Sequence, residues 1–109
     1  MKPLFFALLA AATLLLTSVP STALAEDDIT ITNRSSLVIQ FIYISPPGEN
    51  NWGEDWLAAA KYGVIVPGDH AMFRIDQGCI EDIKVTFSDN HSKEWRNLDT
   101  CKNNLEVSD

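Results

Sequence analysis

Few residue types in this 109-residue chain could do chemistry, and they lie in four places. Glu54 and Asp55 sit in the run Asn50-Asn51-Trp52-Gly53-Glu54-Asp55-Trp56-Leu57, which also holds two of the three tryptophans. Glu81 and Asp82 follow Cys79, and Cys101 comes near the end. His70 and His91 stand apart in turn-like segments. Adjacent carboxylates could supply oxygens to a divalent cation, since calcium is held by several oxygens converging from loops. The usual calcium-loop spacing is absent here, so Asp55 and Asp82 are weak metal candidates and solvated surface acids are the expectation. Asp82, beside a cysteine, is suited to capping backbone amides or pairing with an arginine. Each histidine reads as a surface residue, and the two make a metal pair only if the fold brings them together. The sequence has no nucleophile elbow, zinc-helix motif or phosphate loop. A non-enzymatic protein with no cofactor is therefore expected.

The cysteines admit three readings: a disulfide, a free thiol pair, or half of a metal site. Two thiols without a histidine at ligand spacing make a poor zinc signature. An even count in a small exported domain favours a bridge, Cys79 to Cys101, closing a loop of about twenty residues worth about 3 kcal/mol. The tryptophans also have two uses. Trp52 and Leu57 are expected in the core, the commoner fate of tryptophan in a small domain. Trp56, among charged residues, is expected to be exposed, and with Glu54, Tyr43 and Trp95 it forms a candidate surface for a ligand such as a carbohydrate.

The elements that must position these residues begin after a leader. Lys2 precedes an apolar run from Leu4 to Leu16, and Ala23-Leu24-Ala25 places small residues where a signal peptidase cuts. That run is too short to span a bilayer, which needs about 20 residues. Residues 1–25 are thus read as a cleaved general secretory signal, with cleavage after Ala25 and a periplasmic or secreted product that has no membrane attachment afterwards. Residues 26–109 are enough for one domain. The whole chain carries net charge −7, and losing Lys2 makes it more acidic. Phosphate contacts need clustered Lys and Arg, so nucleic acid is excluded as a partner class. The charge favours solubility, and at lower weight a basic partner.

Asp28–Asn33 alternates polar and β-branched residues as a half-buried strand does. Asn33–Ser36 is a turn, from which a hairpin to the next strand is expected. Residues 37–45 are apolar on both faces, as in a central strand. Asn50 or Asn51 could cap a helix of about two turns over Asp55–Lys61. Tyr62–Val66 reads as a short strand. His70–Asp76 alternates with Ala71, Phe73 and Ile75 inward, and Ile83, Val85 and Phe87 alternate inward in the next strand. Residues 92–98 return with Trp95, so both cysteines fall at the open end of a hairpin. Residues 102–109 read as a loose tail. The expected fold is all-β: a small antiparallel β-sandwich of about seven short strands with at most one short helix, a small barrel being the competitor.

Several of these pieces occur in one order: Tyr43-Ile44-Ser45-Pro46, Trp52-Gly53-Glu54-Asp55-Trp56-Leu57, Pro67-Gly68, Cys79-Ile80-Glu81-Asp82 and Cys101. Together they resemble a family of small exported bacterial proteins of unknown function, with a Trp-Gly-x-Asp-x-Leu, Cys-x-x-Asp, Cys pattern. The resemblance covers nearly all of the chain after the leader and implies a β-rich exported domain without an established activity. Some members carry the name argininosuccinate lyase, a chemistry that needs a large helical tetramer and a mobile serine loop. Ala58 stands where that family usually has glycine. The matching positions Trp52, Gly53, Asp55 and Leu57 are expected to be a structural clasp, leaving Glu54 and Trp56 for recognition. The expected function is a monomeric binding module for a protein or small ligand. A calcium-binding domain is the alternative, and an unrecognised enzyme the least supported.

Overall fold

The computed structural model describes residues 27–109, so the expected leader and Glu26 lie outside the described residues. Six strands and one helical turn follow in order: β1 (Asp27–Asn33), β2 (Ile39–Ser45), α1 (Trp56–Ala59), β3 (His70–Ile75), β4 (Ile80–Phe87), β5 (Ser92–Asp99) and β6 (Leu105–Val107). They make two three-stranded sheets, ordered β3-β1-β6 and β2-β4-β5. Isoleucines 29, 31, 42 and 83, with Val85, Phe87, Phe73 and Ile75, fill the buried space that the two sheets enclose. This is the expected all-β sandwich.

Alternation works where it was cleanest. β3 buries Ala71, Phe73 and Ile75 and exposes His70, Met72 and Arg74, and β4 buries Ile83, Val85 and Phe87. Strand β2 departs from it. Ile39 pairs with Phe87 but Phe41 pairs with Thr86, so Gln40 is the extra residue of a bulge. The bulge changes which face the chain presents. Ile39, Ile42 and Ile44 all turn inward, while Phe41 is left 39% exposed.

Four expectations are corrected. β1 and β2 do not form a hairpin: they enter different sheets, and β1 pairs with β3 and, in parallel, with β6. β2 is an edge of its sheet and β4 is the centre; its apolar outer residues reflect the bulge rather than a second covering layer. Tyr62–Val66 contributes one bridge, Ile39 to Ile65, because Gly63 at φ +80° breaks the run into a turn. The tail is not loose: Leu105 and Val107 are buried and pair with β1 through Ile31 and Asn33. That last pairing joins the two ends of the described chain, which no local pattern reports.

Cys79 and Cys101 form the expected disulfide, with Cα atoms 5.1 Å apart and a sequence separation of 22. The Thr100 amide and hydroxyl both donate to the Cys79 carbonyl, at 2.8 and 2.7 Å. The bridge thus staples the open end of the β4–β5 hairpin. The intact protein should have the mass of a form lacking two hydrogens, and alkylation without reductant should label neither cysteine. A Cys79→Ser, Cys101→Ser double variant should lose about 3 kcal/mol in urea unfolding. Labelling of both cysteines in the native protein overturns the assignment.

Candidate functional site

The Trp52–Leu57 segment divides at its glycine. Gly53 adopts φ +77°, in the left-handed region that a residue with a Cβ avoids. On one side of it Trp52 lies over the outward side of the β2-β4-β5 sheet. The Arg96 guanidinium sits 4.8 Å from its ring centre and the Lys84 ammonium 5.8 Å. Lys84 is equally close to Tyr43, whose ring stacks with Phe41. Trp52 is therefore half-buried on the outside of a sheet rather than in the core, as cation–π contact from two side chains of that sheet holds it there.

On the other side of Gly53 the chain enters α1. Its cap is Asp55 itself, not Asn50 or Asn51: Asp55 is extended, and its carboxylate accepts from the amides of Leu57 at 3.0 Å and Ala58 at 3.3 Å. The same Oδ1 atom accepts from the Ile42 amide of β2, also at 3.0 Å. A single carboxylate thus starts the helix and fastens it to the sheet edge, satisfying amides that a helix start leaves orphaned. Leu57, fully buried, is the apolar half of the same attachment. Of the four residues expected to clasp the two halves of the sandwich, Asp55 and Leu57 instead fasten α1 to the β2 edge, Gly53 turns the chain, and Trp52 lies elsewhere.

Trp56 packs edge-on against Phe73 of β3, with ring centres 6.1 Å apart, and lies against the core rather than standing exposed. It still has one open side. A pocket of about 240 Å³ is lined by Glu54, Trp56, Ala59, Ala60, Phe73 and Arg74. The pocket brings together Glu54 and Trp56 from the expected surface but leaves out the other two members. Tyr43 belongs to the outer side of the β2-β4-β5 sheet, and Trp95 packs toward the core opposite Ile83. Phe73, Arg74, Ala59 and Ala60 were not singled out as site residues by the sequence. Phe73 read as core, and its approach to α1 depends on β3 being a sheet edge.

The Glu81–Asp82 pair divides between two environments. Asp82 is 1% exposed, and its Oδ1 accepts from the Asn97 amide at 2.8 Å. Oδ2 accepts from the Gly48 amide and the Arg96 guanidinium, both at 3.0 Å. The Asn97 amide is the strongest influence holding the carboxyl below its ordinary range; burial opposes it, and Gly48 and Arg96 reinforce it. Asn97, at φ +57°, is at the place where β5 carries an extra residue opposite β4. Asp82 therefore caps a bulge and pairs with an arginine. That arginine is half-exposed rather than buried.

Glu81 faces inward with Ile83 and Val85 and is fully buried. Oε1 accepts from Gln77 at 3.0 Å, and Oε2 has no hydrogen-bond partner among the described residues. Burial pushes this carboxyl above its ordinary value of 4.5; Gln77 opposes the shift and the Asp82 charge adds to it. A raised folded value means that the folded protein holds the proton more tightly than the unfolded chain. Stability from this group is present below 4.5 and is lost as pH rises through the folded value. Glu81→Gln should accordingly melt like the wild type at acid pH and be more stable by about 1 kcal/mol at pH 8, because it removes a group whose charged form the buried site disfavours. An equal difference at both pH values excludes ionisation as the cause.

Neither expected metal candidate retains a converging set of oxygens, since Asp55 and Asp82 both point their carboxylates at amides. Among the described residues the one grouping of three His, Cys, Asp or Glu ligand atoms is Cys79, Asp99 and Cys101, whose sulfurs are bonded to each other. The histidines are not paired. His70 begins β3 beside Asp69, and His91 stacks on Phe87 at the β4–β5 turn and contacts Asp89. No family model matches the chain, and no curated protein or solved structure does.

Proposed function

We propose that the protein is an exported, non-enzymatic binding module that takes one side-chain-sized group of a partner into the pocket between α1 and β3. The observation that carries this is the pocket itself. Its aromatic walls come from Trp56 and Phe73, its small residues from the helix, and its rim from Glu54 and Arg74. Ligand sites are mostly apolar concavities with a few polar groups at defined positions, and they commonly sit on loops carried by a rigid scaffold. Asp55 and Leu57 supply that rigidity here. Export is supported by the leader-like sequence of residues 1–25 and by a disulfide, which persists in oxidising compartments.

The variant that tests the reading is Ala59→Leu. Ala59 is exposed on the last turn of α1, and leucine suits a helix while filling the pocket. Immobilised protein exposed to the secreted and periplasmic proteins of its host should retain a partner that Ala59→Leu retains about tenfold less, as expected for blocking a hot spot. Trp95→Phe, remote from the pocket, should retain it fully. Equal retention by wild type and Ala59→Leu rules the pocket out.

A further inference from the structure

We infer that the group taken by this pocket is the alkylammonium end of a lysine side chain presented by a partner protein; the inference rests on the pocket assignment above and specifies its occupant. Size comes first. At about 240 Å³ the pocket is smaller than the roughly 300–1,000 Å³ usual for small-molecule sites, so it admits one side chain rather than a whole ligand. Shape comes next. The Trp56 and Phe73 rings meet at 81°, and Tyr62 also packs edge-on against Phe73, with ring centres 5.6 Å apart. Ala59 and Ala60 leave methyl-sized surfaces along which an aliphatic stem can lie, and the faces of aromatic rings attract cations.

Charge selects the head group. Glu54 lies on the rim and makes no hydrogen bond or ion pair among the described residues. The other charged rim residue, Arg74, has the Asp28 carboxylate 3.5 Å away to offset it. An anionic ligand would meet Glu54 unfavourably. A purely apolar side chain would strip water from that carboxylate with no compensating contact. An ammonium meets it with charge complementarity, and the net charge of −7 draws basic partners toward the protein at longer range.

The test uses the folded protein labelled with nitrogen-15 and three probes: Nα-acetyl-lysine methylamide, Nα-acetyl-norleucine methylamide and n-butylamine. Binding is read from the indole N–H signal of Trp56. The lysine probe should bind about fivefold more tightly than the norleucine probe, the size of a cation–π and partly exposed charge contribution. Glu54→Gln, an exposed substitution, should reduce that preference to about twofold, the share left to cation–π contact, without loss of folding. Norleucine binding as tightly as lysine overturns the inference and leaves the pocket assignment standing. Butylamine, which reproduces the lysine side chain alone, should bind about as tightly as the lysine probe, and a lysine probe that binds while butylamine does not overturns the side chain as the occupant. If no probe moves the Trp56 signal, both the inference and the pocket assignment fall.

Discussion

Asp82→Ala should be among the most destabilising substitutions in the protein, with an expected loss of about 3–5 kcal/mol in urea unfolding, because donors left without their acceptor cost about 1–3 kcal/mol each, partly offset by solvation of the half-exposed Arg96. The substitution strands three donors together: the Asn97 amide, the Gly48 amide and one arm of Arg96. Two of these are backbone groups in irregular segments, the β5 bulge and the loop after Pro46-Pro47, with no ladder partner to take over. Arg96 also positions Trp52, so the 4.8 Å stacking contact should loosen with it. Asp82→Asn keeps one acceptor but turns an amide donor toward a donor, and should recover only part of the loss. A cost under about 1 kcal/mol for Asp82→Ala shows that the bulge and loop hold without the carboxylate.

The same residue sets an acid limit. Its folded value is depressed below the ordinary 3.8, so its contribution is present above 3.8 and is lost as pH falls through the folded value. Glu81 next door acts in the reverse sense, losing its contribution as pH rises above 4.5. Two adjacent carboxylates on opposite faces of one strand therefore place the joint optimum of this pair near pH 4. Neither residue titrates independently, because the charge of Asp82 is one of the influences that raise the Glu81 carboxyl above its ordinary value.

Glu81 also shows what the sequence did and did not make legible. Period-two alternation in Ile83, Val85 and Phe87 carries back to Glu81 and places it inward, yet a Glu-Asp pair reads by composition as solvent-exposed. The pattern was the better guide. Where strands keep strict alternation, as β3 and β4 do, inward residues follow from the sequence. Where a bulge intervenes, as at Gln40 and Asn97, the face changes sign and the pattern misleads. The β1–β6 and β1–β3 pairings are long-range and have no local signature, so the tail and the first turn were misassigned. The two tryptophans exchanged expected roles for a local reason. Gly53 turns the chain, and the Asp55 cap fixes where α1 starts, so Trp56 faces β3 while Trp52 meets the cations of the other sheet. Glu54 stood out in the sequence as a candidate because the structural positions around it were accounted for, but its pocket neighbours Phe73 and Arg74 required the register of β3.

Asn33→Ala should cost about 3–5 kcal/mol, comparable to Asp82→Ala although no charge is involved, because several buried polar groups lose their partner at about 1–3 kcal/mol each, partly offset by relaxation. Asn33 is fully buried. Its Nδ2 group donates to the carbonyls of Leu37 and Ile65, both at 2.8 Å, and its Oδ1 accepts from the Ser35 amide at 2.9 Å and the Ser35 hydroxyl at 2.6 Å. Both donors and both acceptor sites of the amide are thus used, its full capacity. Its backbone adds bonds to Asp69 and Gly68, so one residue ties the first turn, the Ile65 bridge and the turn before β3 together. Because Ile65 pairs with Ile39 of β2, losing Asn33 should first be visible as faster hydrogen exchange at the Ile39 and Ile65 amides. Asn33→Asp separates shape from polarity. It is isosteric, but an ionised carboxylate would face two carbonyl oxygens where the amide donates to them. Its stability should therefore be poorest at neutral pH and improve as acid restores a donor, the opposite of the trend from Asp82. Wild-type stability in Asn33→Asp at pH 7 would mean that those two carbonyls find other partners, and that the two sheets are joined at this corner by packing alone.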